Sequence, residues 1–135
     1  LMEVAHEQEG MVLLPGNKSD LATGHHLLYS DVIGGLVVLG EVTKTEVYRL
    51  VRYRNAMKRV IPQRVFRKAP SMELAHGQKD TDDAPPFHLL DPILKLHVDK
   101  RKDMKEIVAA GHDRKLAKRV VELVQRYGRL PGRRR

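Results

Sequence analysis

In the amino-terminal part of the chain the apolar positions come in two short unbroken runs, Met11-Val12-Leu13-Leu14 and Leu36-Val37-Val38-Leu39, separated by polar and glycine-containing sequence. Unbroken rather than alternating apolar residues predict strands buried on both faces, the pattern of a parallel sheet. Upstream, Leu1 and Ala5 share one face of an otherwise polar stretch, which predicts a helix to Glu9 with Gly10 as its C-terminal cap. A start inside a helix implies a cut chain. Between the strands, Asp20 to Tyr29 read as helical, and Gly34-Gly35 break the chain before the second strand.

Beyond Leu39 the pattern changes to helical spacing. Thr43-Lys44-Thr45-Glu46 is a capping box that starts a helix running to about Asn55, with Val47, Leu50 and Val51 as its buried stripe. Pro62 suits the first turn of another short helix. Lys68 to Pro86 is rich in Pro, Gly and Asp and has no period, so it reads as a long loop of the kind that usually carries function. Phe87 to Val98 predict a helix with Leu89, Leu90, Ile93, Leu94 and Val98 inward, and Pro92 either kinks it or opens it with Asp91 as cap. Asp103-Met104-Lys105-Glu106 is a second capping box, leading through Ile107 to Ala110 and a stop at Gly111. Asp113 caps a final helix whose inward residues are Leu116, Val120, Leu123, Val124 and Tyr127, with Gly128 at its end. There are no repeats. The expected fold class is α/β, two strands followed by mostly helices, in a single domain over 1–135 with a disordered basic tail over 128–135.

Composition narrows this picture. An apolar content of 41% suffices for a core at this length, and with aromatics at 4% that core must be aliphatic. Scarce aromatics also leave few stacking surfaces for single-stranded nucleic acid. Without cysteine there are no thiolate metal sites, cysteine nucleophiles or disulfides, which fits a cytoplasmic setting. No apolar run reaches membrane-spanning length. Of the formal net charge of +8, Arg129, Arg133, Arg134 and Arg135 supply four in an acid-free tail, leaving four for the body. That distribution reads as a solvated basic surface and makes nucleic acid an unlikely partner. Asp103 to Gly128 has the outline of a helix-turn-helix, but packing accounts for its inward face. The seven histidines show no metal-ligand spacing.

The candidate chemistry gathers where the first strand delivers Gly16-Asn17-Lys18-Ser19-Asp20 into a helix start. Such a turn at the carboxyl end of a sheet presents unpaired N–H groups and a field that favours anions, and nucleotides commonly bind there. Each candidate also has a plainer role. Asp20 is favoured by the helix dipole at a first turn, Lys44 can be a solvated lysine, and Ser71 after Pro70 can be an N-cap.

Gly16-Asn17-Lys18-Ser19-Asp20 followed by Tyr29-Ser30-Asp31 resembles a signature of NAD synthetases, ATP-dependent amidating enzymes of the N-type ATP pyrophosphatase fold. Further motifs extend the resemblance in register: Glu41-Val42-Thr43-Lys44-Thr45, Arg67-Lys68-Ala69-Pro70-Ser71-Met72-Glu73-Leu74, Gly77-Gln78-Lys79-Asp80 and Leu89-Leu90-Asp91-Pro92-Ile93-Leu94. The resemblance implies the carboxyl-terminal part of a Rossmann-like parallel-sheet domain. It implies ATP and magnesium as cofactors, deamido-NAD and ammonia, free or derived from glutamine, as substrates, and a homodimer or a missing amino-terminal half as partner.

Residue by residue, the resemblance makes Asp20 the magnesium ligand, in place of the family's glutamate. It makes Lys44 the catalytic lysine on the ATP phosphates, and Ser71 and Pro15 ATP contacts, Pro15 standing where the family has threonine. Tyr29 and Asp31 fall where the family lines its dinucleotide site, with Ser30 in place of a glycine. The family's Ser-Gly-Gly-x-Asp-Ser pyrophosphate loop has no counterpart here, so the resemblance implies a chain with little activity alone. A dimerising or nucleotide-sensing remnant is the alternative.

Overall fold

The computed structural model describes residues 2–24, 35–68 and 84–127. A short helix, α1 (Met2–Glu7), leads into strand β1 (Leu13–Asn17), which runs directly into α2 (Lys18–Thr23). Strand β2 (Leu36–Leu39) pairs with β1 in parallel, matching Leu13 with Leu36, Leu14 with Val37 and Asn17 with Leu39. The register slips between Leu14 and Asn17, where Pro15 has no N–H to give the ladder. The two predicted strands are thus present, the first displaced toward the Asn17 turn. Their burial differs from expectation. Leu14 is buried and Val37 packs on the core, whereas Leu13, Leu36 and Val38 are exposed, because the described helices cover one face of this sheet.

The helix expected over Asp20 to Tyr29 starts earlier than its apolar pattern implies, and the rest of that span, beyond Gly24, lies outside the described residues. It begins at Lys18, with Asn17 as N-cap, and stops at Gly24, whose φ of +78° is the left-handed conformation that ends helices. Every residue of α2 is buried. Gly24 also sits against Tyr127, where a Cβ would stand 2.7 Å from the tyrosine Cβ.

Helix α3 (Lys44–Met57) starts at the predicted capping box, the Glu46 carboxylate accepting from the Thr43 N–H at 3.0 Å and from its hydroxyl at 2.7 Å. None of its residues is buried: Val47 and Val51 are half-buried, and Leu50 is exposed, contrary to the expected stripe. After a turn stapled by the Asn55 side chain to the backbone of Val60 and Ile61, α4 (Arg64–Arg67) follows Pro62.

The core is built by the last three helices and α2. Helix α5 (Phe87–Leu94) keeps Pro92 inside it and widens into a π-helical turn over Lys95–Asp99, closed by Lys100 N–H donating to the Lys95 carbonyl. Helices α6 (Met104–Ala109) and α7 (Arg114–Tyr127) start at Asp103 and Asp113 as predicted, each aspartate accepting a backbone N–H at 2.8 Å. Leu21, Leu90, Ile93, Leu94, Ile107, Val120 and Val124 meet in an aliphatic core, as the composition requires. Leu89 is exposed, and the buried stripe of α7 is Ala117, Val120, Val121 and Val124, with Tyr127 left outside. Among the described residues no helix is long and apolar enough to cross a membrane.

Candidate functional site

The β1–α2 turn, the start of α3 and the middle of α5 converge on one polar junction. Asn17 caps α2 by accepting from the N–H groups of Ser19 at 3.0 Å and Asp20 at 3.1 Å. Asp20 returns the contact, taking the Asn17 side-chain amide. Asp20 therefore has a structural role in the capping box as well as any role toward a ligand.

Ser19 links the three elements. Its hydroxyl donates to Asp91 Oδ1 at 2.6 Å and accepts the Lys44 N–H at 2.9 Å, while Asp91 Oδ2 accepts the Thr45 N–H at 2.8 Å. The first N–H groups of α3, which no intrahelical carbonyl can satisfy, are thus taken by side chains of α2 and α5. Asp91 is 1% exposed, and an unpartnered carboxylate there would carry a large desolvation cost. Its backbone lies among Leu90, Ile93 and Leu94, so the helix that fills the core also fixes the site. The sequence offered Asp91 as a cap for its own helix; it caps α3 instead.

This scaffold sets the position of Lys44. Its Nζ lies 3.4 Å from Asp20 Oδ1 and 3.5 Å from Oδ2, and 5.4 Å from the centre of the Phe87 ring. The two residues that the sequence nominated separately for phosphate and metal therefore meet. Pro15 lies on β1, exposed, two residues ahead of the Asn17 cap. Ser71, Tyr29 and Asp31 lie outside the described residues, as does the 128–135 tail.

Three more ion pairs, made by two lysines, frame the junction. Lys18 Nζ contacts Asp99 at 2.5 Å and Glu41 at 3.3 Å. Burial works against the charged Lys18 amine, but the hydrogen bonds and charges of Asp99 and Glu41 outweigh it and raise its pKa above the ordinary lysine value. Lys95 pairs with Glu46. That bond, with the hydroxyl and N–H of Thr43, holds the Glu46 carboxyl at about 2, well below its ordinary value. Lys95 and Asp99, the first and last residues of the π turn, each anchor one arm of the junction.

Sequence reasoning did not single out Ser19, Lys18 or Asp99. The signals available were a hydroxyl in the first turn of a helix and a carboxylate, Asp91, inside an apolar helical run. Chemically, the junction offers one cation and one carboxylate on rigid supports. The N–H groups of α3 are already engaged, so an anion would be met by the Lys44 side chain rather than by the helix end. Among the described residues no group of three or more histidines and carboxylates is placed to hold a metal by itself.

The family model described as NAD synthase matches residues 1–128. The chain is similar to the glutamine-dependent NAD(+) synthetases of Thermotoga maritima (41% identical over 128 residues, 93% of this chain and 22% of that protein) and Acinetobacter baylyi (41% over 136 residues, 98% and 25%). That of Synechocystis sp. is 42% identical over 126 residues, 93% of this chain and 23% of the relative. Among solved structures, the glutamine-dependent NAD+ synthetase of Acinetobacter baumannii in complex with ADP is 31% identical with a TM-score of 0.44, covering 99% of this chain and 24% of that one. The chain spans about a quarter of the length of these relatives. With the family model matched over nearly its whole length, the chain belongs to the NAD synthase family.

Proposed function

We propose that this chain supplies the Lys44 and Asp20 side of an NAD synthetase active site, in which ATP activates the nicotinate carboxylate of deamido-NAD for amidation. In this reading the carboxylate attacks the α-phosphorus of ATP and pyrophosphate leaves. Ammonia, free or derived from glutamine, then displaces AMP to give NAD. The observation that carries the reading is the Lys44–Asp20 pair at 3.4 Å, with the Lys44 backbone fixed by Ser19. A preorganised cation beside a phosphate lowers the barrier because charge develops there during adenylyl transfer.

Magnesium would neutralise phosphate charge, and Asp20 is the residue present to hold it. One carboxylate suits that ion, which keeps waters and takes its remaining oxygens from phosphate. The donor set fits, since the carboxylate is oriented by Asn17 and its present counter-ion is a flexible side chain. Lys44 exchanges Asp20 for a phosphate oxygen as the nucleotide binds. Ser71 and Pro15 would extend the nucleotide contacts, and Tyr29 and Asp31 the dinucleotide contacts. With no pyrophosphate loop in this sequence, nucleotide binding rather than turnover is the property expected of the chain alone.

Titration calorimetry of ATP with and without magnesium, on the chain and on Lys44→Ala, tests this. Magnesium-dependent binding weakened at least about tenfold in the variant, the loss expected for one charge-assisted contact, supports the reading. Absence of binding in both overturns it in favour of a non-catalytic assembly role.

A further inference from the structure

The positive charge of the chain is concentrated. Residues 44–68 hold nine lysines and arginines and one glutamate, whereas the rest of the chain holds sixteen of each sign. The whole formal excess of +8 is therefore matched by α3, the turn after it and α4. Two neighbouring clefts of about 530 Å³ each open on this segment and share Arg52 and Phe66.

The α3 wall of these clefts consists of Thr45, Tyr48, Arg49, Arg52, Asn55 and Ala56, which recur every three or four residues and so form one face of the helix. Over the 14 residues of α3 this face runs about 20 Å, making the two clefts one linear groove. Among the described residues no carboxylate lines either cleft. Arg49, Arg52, Arg59 and Arg67 are exposed and make no ion pair among the described residues. Three of the chain's six aromatic residues line the groove, and a fourth lies on α3 outside it. Tyr48 and Phe66 are half-buried in the groove, Phe87 lines one end, and Tyr53 projects from α3.

We propose that the groove between α3 and α4 binds single-stranded nucleic acid, its arginines on phosphates and Tyr48 and Phe66 against unstacked bases. Uncompensated guanidinium groups recognise phosphate oxygens, and a row of cations interleaved with rings is the physical signature of single-strand binders. Scarcity of aromatics in the chain as a whole argues against such a surface; their concentration on one groove reverses that argument. The groove adjoins the Lys44–Asp20 pair at Thr45 and Phe87, but the Lys44 cation is turned to Asp20 and does not line it; the α6–α7 pair, whose apolar face is spent on the core, lies apart from it. A length of about 20 Å accommodates on the order of four nucleotides, the lower end of known single-strand site sizes.

Fluorescence anisotropy with a labelled single-stranded oligonucleotide of about twelve nucleotides tests the proposal, on the full chain, from about 50 to about 200 mM salt. The double variant Arg52→Ala/Arg67→Ala is expected to bind at least about tenfold more weakly, with its log–log salt slope reduced by about 1.4, two single-strand phosphate contacts. Phe66→Leu, which keeps bulk but removes the ring, is expected to weaken binding about fivefold without changing the slope. Lys105→Ala/Lys115→Ala removes equal charge from the exposed surface of α6 and α7 and should leave affinity unchanged. Circular dichroism melts of all variants exclude unfolding as the cause. The proposal is overturned if Arg52→Ala/Arg67→Ala binds normally, or if affinity is lost instead in Arg133→Ala/Arg134→Ala/Arg135→Ala. It is equally overturned if duplex DNA or polyglutamate displaces the oligonucleotide at equal charge concentration, since the groove would then be a general polyanion surface.

Discussion

Ser19 and Asp91 lie 72 residues apart in sequence and share a 2.6 Å hydrogen bond in the protein interior. Through it the first turn of α2 is tied to the helix that fills the core. Both partners go on to hold the start of α3, so the bond is the centre of the junction rather than one contact among several.

Asp91→Ala leaves the Ser19 hydroxyl and the Thr45 N–H without their acceptor in a buried place. A loss of about 3 kcal/mol is expected in urea unfolding. Asp91→Asn keeps the shape and one acceptor and should cost about half as much. Equal losses in the two variants would mean that the carboxylate contributes only by volume.

The acid limb of stability should report Glu46. Its carboxyl titrates at about 2 in the folded chain, against an ordinary value of 4.5, because Lys95 and Thr43 bond the charged form. The unfolded chain then binds more protons between these values. Stability from this group is fully present above about pH 4.5 and is lost as pH falls toward 2. In Glu46→Gln, chemical denaturation between these pH values should show a shallower fall than in the native sequence.

Two glycines with positive φ separate backbone strain from steric conflict. Gly111, at φ +94°, has nothing within 4 Å of the position a β-carbon would take, whereas at Gly24 the added carbon meets Tyr127 at 2.7 Å. Gly111→Ala should cost about 1 kcal/mol from the backbone alone. Gly24→Ala should cost more, about 2 to 3 kcal/mol, and thermal melts of the pair would reveal any failure of that order.

Burial in α3 and α5 makes opposite demands on residues of one type. Leu94→Ala removes a fully buried side chain and should cost about 3 kcal/mol. Leu50→Ala, at a site 52% exposed, should fall within about 0.5 kcal/mol of the native sequence. A large loss at Leu50 would show that another surface covers α3.

Which parts of this are legible in the chain itself follows from the range of the forces involved. Capping signals at Thr43, Asp103 and Asp113 and the Leu36–Leu39 strand are local, and the structure has them where the sequence puts them. The Leu50 stripe fails because helical spacing says only that one side of α3 is apolar, not that a neighbour covers it. At the site, Lys44 and Asp20 stand out through their motifs, and their meeting is a finding of the fold. Ser19 and Asp91 also fall within motifs, but no role across elements is legible for either, because their pairing exists only after distant segments dock.

The Lys18–Asp99 contact spans 81 residues and the Ser19–Asp91 bond 72, so each closes a loop over more than half the chain. Closing loops of that length costs chain entropy that neither contact alone returns, so both depend on the aliphatic core that holds α2 against α5. A substitution that loosens that core therefore also loosens the support of Lys44 beside Asp20, without touching either residue.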